Sequence, residues 1–264
     1  MNKQLKQEPL LSVRNLVIEY NIGFRTRMQA VSNVSFEINA GETLGLVGES
    51  GCGKSSVARA IVRLLKPVSG RIYYNSEDLL NCTSQRLRKI RPGLQMIFQD
   101  AVASLNPGRK IGRTIEEPLR VLARTNRQEC RQRACSMMKA VGLDPKQMYD
   151  RYPYELSGGQ CQRVSIARAI ITRPRLLICD EPVSSLDVSV QAQILNLLEK
   201  MKQQFKLTML FISHDLAVVK NISDRVAVMY KGKICEIADA EELYSSPHHH
   251  YSKMLLASIP EPDY

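Results

Sequence analysis

Three glycines, a lysine and two serines fall within Gly48-Glu49-Ser50-Gly51-Cys52-Gly53-Lys54-Ser55, the spacing G-x-x-x-x-G-K-[ST] of a phosphate loop. The run continues an apolar strand pattern, TLGLVG at 43–48, and opens a helical one at 55–65. Glycines at 48, 51 and 53 let the backbone curl until successive N–H groups face one anion. The helix start adds its dipole. Lys54 is placed to reach the β- and γ-phosphates, and the Ser55 hydroxyl to ligate Mg²⁺. About 120 residues downstream, Leu176-Leu177-Ile178-Cys179 reads as a strand buried on both faces, with Asp180 and Glu181 where it emerges. A phosphate loop paired with such a strand is the arrangement of nucleoside triphosphate hydrolysis, with Asp180 on the Mg²⁺ shell and Glu181 polarising the attacking water. Leu156-Ser157-Gly158-Gly159-Gln160 precedes another helix and makes a second anion-binding helix start. One nucleotide does not need two such starts from one chain. A head-to-tail dimer would use both, each chain's second start capping the triphosphate held by the other.

The elements that must hold these residues follow from periodicity. Residues 10–20 and 31–38 alternate apolar and polar side chains as half-buried strands do, with a basic hairpin loop expected over 21–29. Further strands are expected at 43–48, 71–74 and 94–99. The helix at 55–65 is expected to end at Pro67 and Gly70. From 112 to 141 the pattern is helical and contains no convincing strand. Then come a helix at 158–172, a strand at 175–180, a helix at 189–203, a strand at 207–213, a short helix after Asp215, and strands at 225–230 and 233–237. Strands alternating with helices imply an α/β fold with a mostly parallel sheet, here interrupted by a helical insertion.

Composition narrows the function classes. The chain has 264 residues, enough for one large domain or one domain with an inserted subdomain. Its 44% hydrophobic and 24% charged residues exclude global disorder. No apolar run approaches the ~18 residues of a spanning helix, and the N-terminus lacks a signal-peptide apolar region, so a soluble cytosolic protein is expected. The seven cysteines form no C-x-x-C pair and read as free thiols of a reducing compartment. The formal charge is +11, concentrated between Arg86 and Lys139, where thirteen Lys/Arg stand against four Asp/Glu. Such a patch suits nucleic acid, an anionic membrane surface or an acidic partner. No Phe, Tyr or Trp interleaves residues 112–139, which argues against nucleic acid.

With LSGGQ at 156–160, the chain resembles the ATP-binding cassette (ABC) ATPases, and the resemblance extends over nearly the whole length. It implies an ABC-type P-loop ATPase core with an N-terminal antiparallel β subdomain and an inserted helical subdomain. The core would cover approximately 10–98 and 174–240, the helical subdomain 99–173, and a short C-terminal extension 241–264. It also implies ATP and Mg²⁺ as ligands. Tyr20 matches the aromatic that stacks on adenine, and residues 48–56, through Ser56, match the triphosphate-binding run. Gln99 in MIFQD matches the Q-loop glutamine that touches Mg²⁺ and the water. Ser185-Leu186-Asp187 matches the D-loop, and His214 in ISHD the switch histidine that contacts the γ-phosphate. Leu156, Ser157, Gly158, Gly159, Gln160 and Asp187 would then act on the partner's nucleotide, with Ser55, Gln99 and Asp180 around Mg²⁺.

Within that superfamily, GETLGLVGESGCGKS, SLNP at 104–107, EPVSSLDVSVQAQILNLL and FISHDLAVV resemble the importer subfamily for oligopeptides, dipeptides and nickel. So does SPHHHYSKMLLASIP, although His250 stands where a proline is usual and Ser252 where a threonine is. The cysteine-bearing tail of many relatives is not found before Tyr264, so an iron–sulfur cluster is not expected there. The resemblance implies a peripheral ATPase on the cytoplasmic face of a bacterial inner or plasma membrane. Its partners would be two permease subunits, a second ABC ATPase subunit that is a paralogue or an identical chain, and indirectly a solute-binding protein. The alternative is a non-transport accessory ATPase of a phosphonate-degrading enzyme complex, which the short ending also resembles.

Overall fold

Leu11, Val13, Leu16 and Ile18 are buried, as are Val31, Val34, Phe36 and Ile38. Segments with near period-two burial pair through their backbones and share one apolar face. The computed structural model of the chain describes residues 8–23, 26–123 and 125–258, so the expectations for the first seven and last six residues lie outside the described residues. In chain order the elements are β1 (Leu11–Gly23), β2 (Thr26–Ile38), β3 (Thr43–Val47), α1 (Lys54–Ile61), β4 (Ser69–Tyr74), β5 (Glu77–Asp78), α2 (Ser84–Ile90), β6 (Leu94–Ile97), α3 (Ala101–Ser104), α4 (Ile111–Pro118), α5 (Arg127–Ala140) and α6 (Pro145–Met148). There follow α7 (Gly158–Ile170), β7 (Leu176–Asp180), α8 (Val188–Phe205), β8 (Thr208–Ile212), α9 (Leu216–Ile222), β9 (Arg225–Tyr230), β10 (Lys233–Asp239), α10 (Ala240–Ser245) and α11 (His250–Ala257).

Contacts divide the chain into two compact units, residues 1–83 with 208–264, and residues 84–207. The first holds an antiparallel sheet in the order β2-β1-β4-β5. Leu11 faces Ile38 on one side and Tyr74 on the other. The three-residue step from Val13 to Leu16 is a bulge, with Asn15 at φ 50°. The unit's other strands run in the order β10-β9-β3-β8. There β3 is parallel to both β8 and β9, and β10 returns antiparallel to β9. Every residue of β3 and β8 is buried, as continuous apolar runs in a covered parallel sheet must be.

In the second unit β6 and β7 pair in parallel, with Met96 opposite Ile178. The helices around them are held by their own caps. Asp187 starts α8 by accepting the Val190 N–H (2.9 Å), and Asn126 starts α5 by accepting the Glu129 N–H (2.9 Å). Pro118 ends α4, since it supplies no N–H, and the chain continues through a π-helical turn over Leu119–Ala123.

Two lengths depart from expectation. The helix expected over 55–65 ends at Ile61, before Pro67 can act on it. Arg63 takes a left-handed φ of 60°, and the Leu64 and Leu65 N–H groups both return to the Arg59 carbonyl (2.9 and 3.1 Å). The hairpin loop expected over 21–29 is narrower, because Asn21 pairs with Arg27 and Gly23 with Thr26. A strand ladder needs backbone groups, not buried side chains, so polar residues extend it into solvent. The other expected strands, and the helices expected at 158–172 and 189–203, fall within two residues of their expected bounds. The helical stretch expected over 112–141 divides into α4 and α5, and β5, α2, α3, α6, α10 and α11 have no expected counterpart.

Candidate functional site

The phosphate loop belongs to the first unit. Gly48, Gly51 and Gly53 have φ of 149°, 81° and 107°. A Cβ at Gly48 would lie 2.1 Å from the Met229 carbonyl oxygen, and one at Gly53 2.4 Å from that of Ala30, so only glycine fits at either position. Lys54 is 4% exposed. Its ammonium donates to the carbonyls of Gly48 (2.7 Å) and Glu49 (2.9 Å) and contacts Cys52 Sγ (3.9 Å). A buried cation held by neutral acceptors suits an arriving anion, so the loop fits a polyphosphate. Burial pushes the Cys52 thiol up although nearby Lys54 pulls it down, so the sulfur stays neutral. The Tyr20 hydroxyl, from β1, lies 2.9 Å from Ser56 Oγ in the first turn of α1. His214 is exposed between β8 and α9, where Asp215 caps α9 by accepting from Ala217 and Val218 N–H.

The acids, Gln99 and the second helix start belong to the second unit. Asp180 ends β7 and is 1% exposed. Glu181 follows with φ 46°, a left-handed conformation that few non-glycine residues adopt. Gln99 Nε2 donates to Glu181 Oε2 at 3.0 Å, so two residues 82 positions apart meet in one hydrogen bond. Ser157 and Gln160 form a capping box: Ser157 Oγ accepts the Gln160 N–H (3.3 Å), and Gln160 Oε1 accepts the Ser157 N–H (3.0 Å). A Cβ at Gly159 would lie 2.7 Å from Val190 Cγ1, so this glycine lets the start of α7 approach α8 closely. Asp187 keeps its carboxyl below the usual range because it accepts from the Val190 N–H and the Ser189 hydroxyl.

The structure thus joins Gln99 to Glu181 and Tyr20 to Ser56. Two further residues stand beside these groups without a role in the sequence reading. Gln162 is 2% exposed, lines a cleft of about 540 Å³ with Gln99, Ala101, Gly158, Ser185 and Leu186, and has no hydrogen-bond partner for Nε2 among the described residues. Inside a regular helical pattern nothing distinguishes it. Tyr251 reaches the phosphate loop from α11, within a segment whose wording stood out but whose chemistry did not.

A family model described as ABC transporter matches residues 31–184. The chain is similar to the oligopeptide transport ATP-binding protein OppF of Salmonella typhimurium, at 47% identity over 273 residues covering 100% of this chain and 81% of the relative. It is 51% identical to OppF of Escherichia coli over 237 residues, covering 89% of this chain and 71% of that one. AppF of Bacillus subtilis, another oligopeptide transport ATP-binding protein, is 49% identical over 88% of this chain and 71% of its own length. Among solved structures, the post-hydrolysis dimer of the ATP-binding cassette MJ0796 bound to ADP and Pi has a TM-score of 0.79 at 29% identity, covering 87% of this chain and 98% of that chain. CbiO1 of Clostridium perfringens has a TM-score of 0.78 at 27% identity, over 91% and 92%. The match to the family model spans more than half the chain and runs from β2 through the phosphate loop and Glu181 to Ser184. The chain belongs to the ABC transporter family and is an ATP-binding, ATP-hydrolysing cassette.

Proposed function

We propose that this ATPase is the motor subunit of an importer, coupling ATP hydrolysis to uptake of oligopeptides through separate membrane permease subunits. The observation that carries the reading is the 47% identity to an oligopeptide transport ATP-binding protein over the full length of this chain. A likeness confined to the cassette motifs would not distinguish transport cargo.

In this reading Lys54 and the N–H groups of residues 50–56 hold the triphosphate, with Tyr20 against the adenine. Glu181 accepts a proton from the attacking water, and the Gln99 amide orients it. His214 contacts the γ-phosphate from the end of β8. Ser55, Asp180 and Gln99 would hold Mg²⁺, which supplies charge neutralisation on the phosphate oxygens when bound. Among the described residues no three His, Cys, Asp or Glu side chains form a cage of their own. That donor set suits Mg²⁺, which is held by one or two carboxylates plus substrate phosphates and water. Ser157, Gly158, Gly159 and Asp187 act on nucleotide bound to a second ATPase subunit.

Among the described residues no helix is long and apolar enough to cross a membrane. In the proposed reading the permeases meet the cassette at its surface, on the cytoplasmic side. A cleft of about 490 Å³ lined by Arg109, Arg113, Glu117, Arg120 and Val121 offers a basic surface for a short cytoplasmic helix of the permease. Arg109 pairs with Glu117, and Arg113 with buried Glu116 at 2.9 Å, while Arg120 adds a third guanidinium. Deleting the gene should abolish uptake of a labelled tripeptide, and a plasmid copy should restore it. The tagged chain should co-purify with two permeases and a second cassette. Unchanged tripeptide uptake in the deletion strain overturns the proposal.

A further inference from the structure

The phosphate loop is braced from outside by a residue two hundred positions away. The Glu49 backbone N–H donates to the Tyr251 hydroxyl oxygen at 3.3 Å. Tyr251 is 4% exposed and stacks on Tyr230, ring centroids 4.0 Å apart at 30°. Its backbone N–H donates to His249 Nδ1 (3.1 Å), which caps the start of α11. That start is tied down by one carboxylate, since Glu236 on β10 accepts the N–H groups of His248 (2.8 Å) and His249 (3.0 Å). Burial keeps the Tyr251 phenol protonated, because it raises the pKa further above the physiological range.

On its other side the same loop lies against the β9–β10 hairpin. A side chain at Gly48 would run into the Met229 carbonyl of β9, and the Gly232 N–H donates to the Cys52 carbonyl at 3.1 Å. Tyr230, on which Tyr251 stacks, is the next residue after Met229. The loop is therefore held between the β9–β10 hairpin and Tyr251 of α11, whose ring stacks on Tyr230 of that hairpin. Turning the Glu49 N–H outward onto Tyr251 leaves the later N–H groups of the loop to face the anion. A loop set in this shape before nucleotide arrives loses less conformational freedom on binding.

We infer that Tyr251 is a positioning residue of the ATP site: its hydroxyl presets the phosphate loop through Glu49, so α11 tunes nucleotide affinity without touching nucleotide. The inference rests on reading residues 48–55 as the triphosphate cradle, and the test separates the two.

In the full chain, Tyr251→Phe keeps the ring on Tyr230 and removes only the hydroxyl. ATP KM and Kd should rise by about three- to tenfold, the scale of one lost hydrogen bond. The kcat should stay within about twofold, and the thermal midpoint within about 4 °C. A purely structural role would instead lower the midpoint and the active fraction and leave KM alone. Lys54→Ala, measured alongside, should lose ATP binding. If Lys54→Ala loses binding while Tyr251→Phe binds ATP within about 1.5-fold of wild type, the role of Tyr251 is overturned and the cradle stands. If Lys54→Ala binds ATP as wild type does, the cradle reading falls and this inference falls with it.

Discussion

Glu181 occupies a backbone conformation that a non-glycine residue holds at a cost of order 1–3 kcal/mol, at φ 46°. Its neighbours Asp180, Pro182 and Val183 are all buried, so the residue sits in packed surroundings. The result is a carboxylate placed within hydrogen-bond reach of Gln99 (3.0 Å). Strain retained at a site of this kind points to chemistry there. Glu181→Gln preserves the oxygen that accepts from Gln99 and removes the base. Hydrolysis should fall by at least about 10²-fold while ATP affinity stays within a few-fold of wild type. Phosphate-release kinetics and calorimetric ATP titration separate the two effects, and a variant hydrolysing at near wild-type rate would remove Glu181 from the role.

The elements explain why each of these side chains stands where it does. Arg168 on α7 donates to the Ser104 carbonyl (2.9 Å) and hydroxyl (3.2 Å), fixing α3 and hence the turn that carries Gln99. In the first unit the corresponding anchor is Glu236. Burial alone would raise its pKa, but the nearby Ser252 hydroxyl and the His248 and His249 N–H groups outweigh it and hold it below the usual 4.5. A carboxyl depressed on folding stabilises at pH above its unfolded value, and that contribution disappears as pH falls through the folded one. The Glu236 tie should therefore survive mild acid and release only below pH 4.5, read from the Glu236 carboxyl carbon signal in an NMR titration. Release already at pH 5.5 would contradict the clamp. Much of this was legible in the residues: the phosphate loop, the acid-ended β7, the helix start at Ser157, and the alternation of β1 and β2 each announce themselves within a dozen positions. What was not legible depends on distance or on one dihedral. Arg63 closes α1 early through a left-handed turn that no glycine marks, and Gln162 is hidden by regular helical spacing. Tyr251 meets Glu49 across 202 positions, a separation no local pattern encodes.

At the scale of the whole molecule, the two anion-binding helix starts ask for a second chain. Ser157 and Gly158 are exposed, and the capping box orders the first turn of α7, leaving its N-terminal N–H groups and dipole toward solvent. The chain carries a formal +11, so two copies repel at long range until bound triphosphate adds its negative charge between them. Nucleotide should therefore drive association. The solved cassettes of similar fold include a dimeric ADP-and-Pi form, which agrees with such an assembly. Ser157→Arg places a long cation on the exposed helix start, far along the chain from Lys54. Monomer affinity for ATP should stay within about twofold of wild type, while ATP-dependent dimerisation and turnover are lost. Light scattering in the Glu181→Gln background, where ATP persists, reads the association directly. If the isolated Ser157→Arg monomer loses ATP affinity to the same degree as it loses dimerisation, the second helix start serves its own chain's nucleotide and the trans arrangement is wrong.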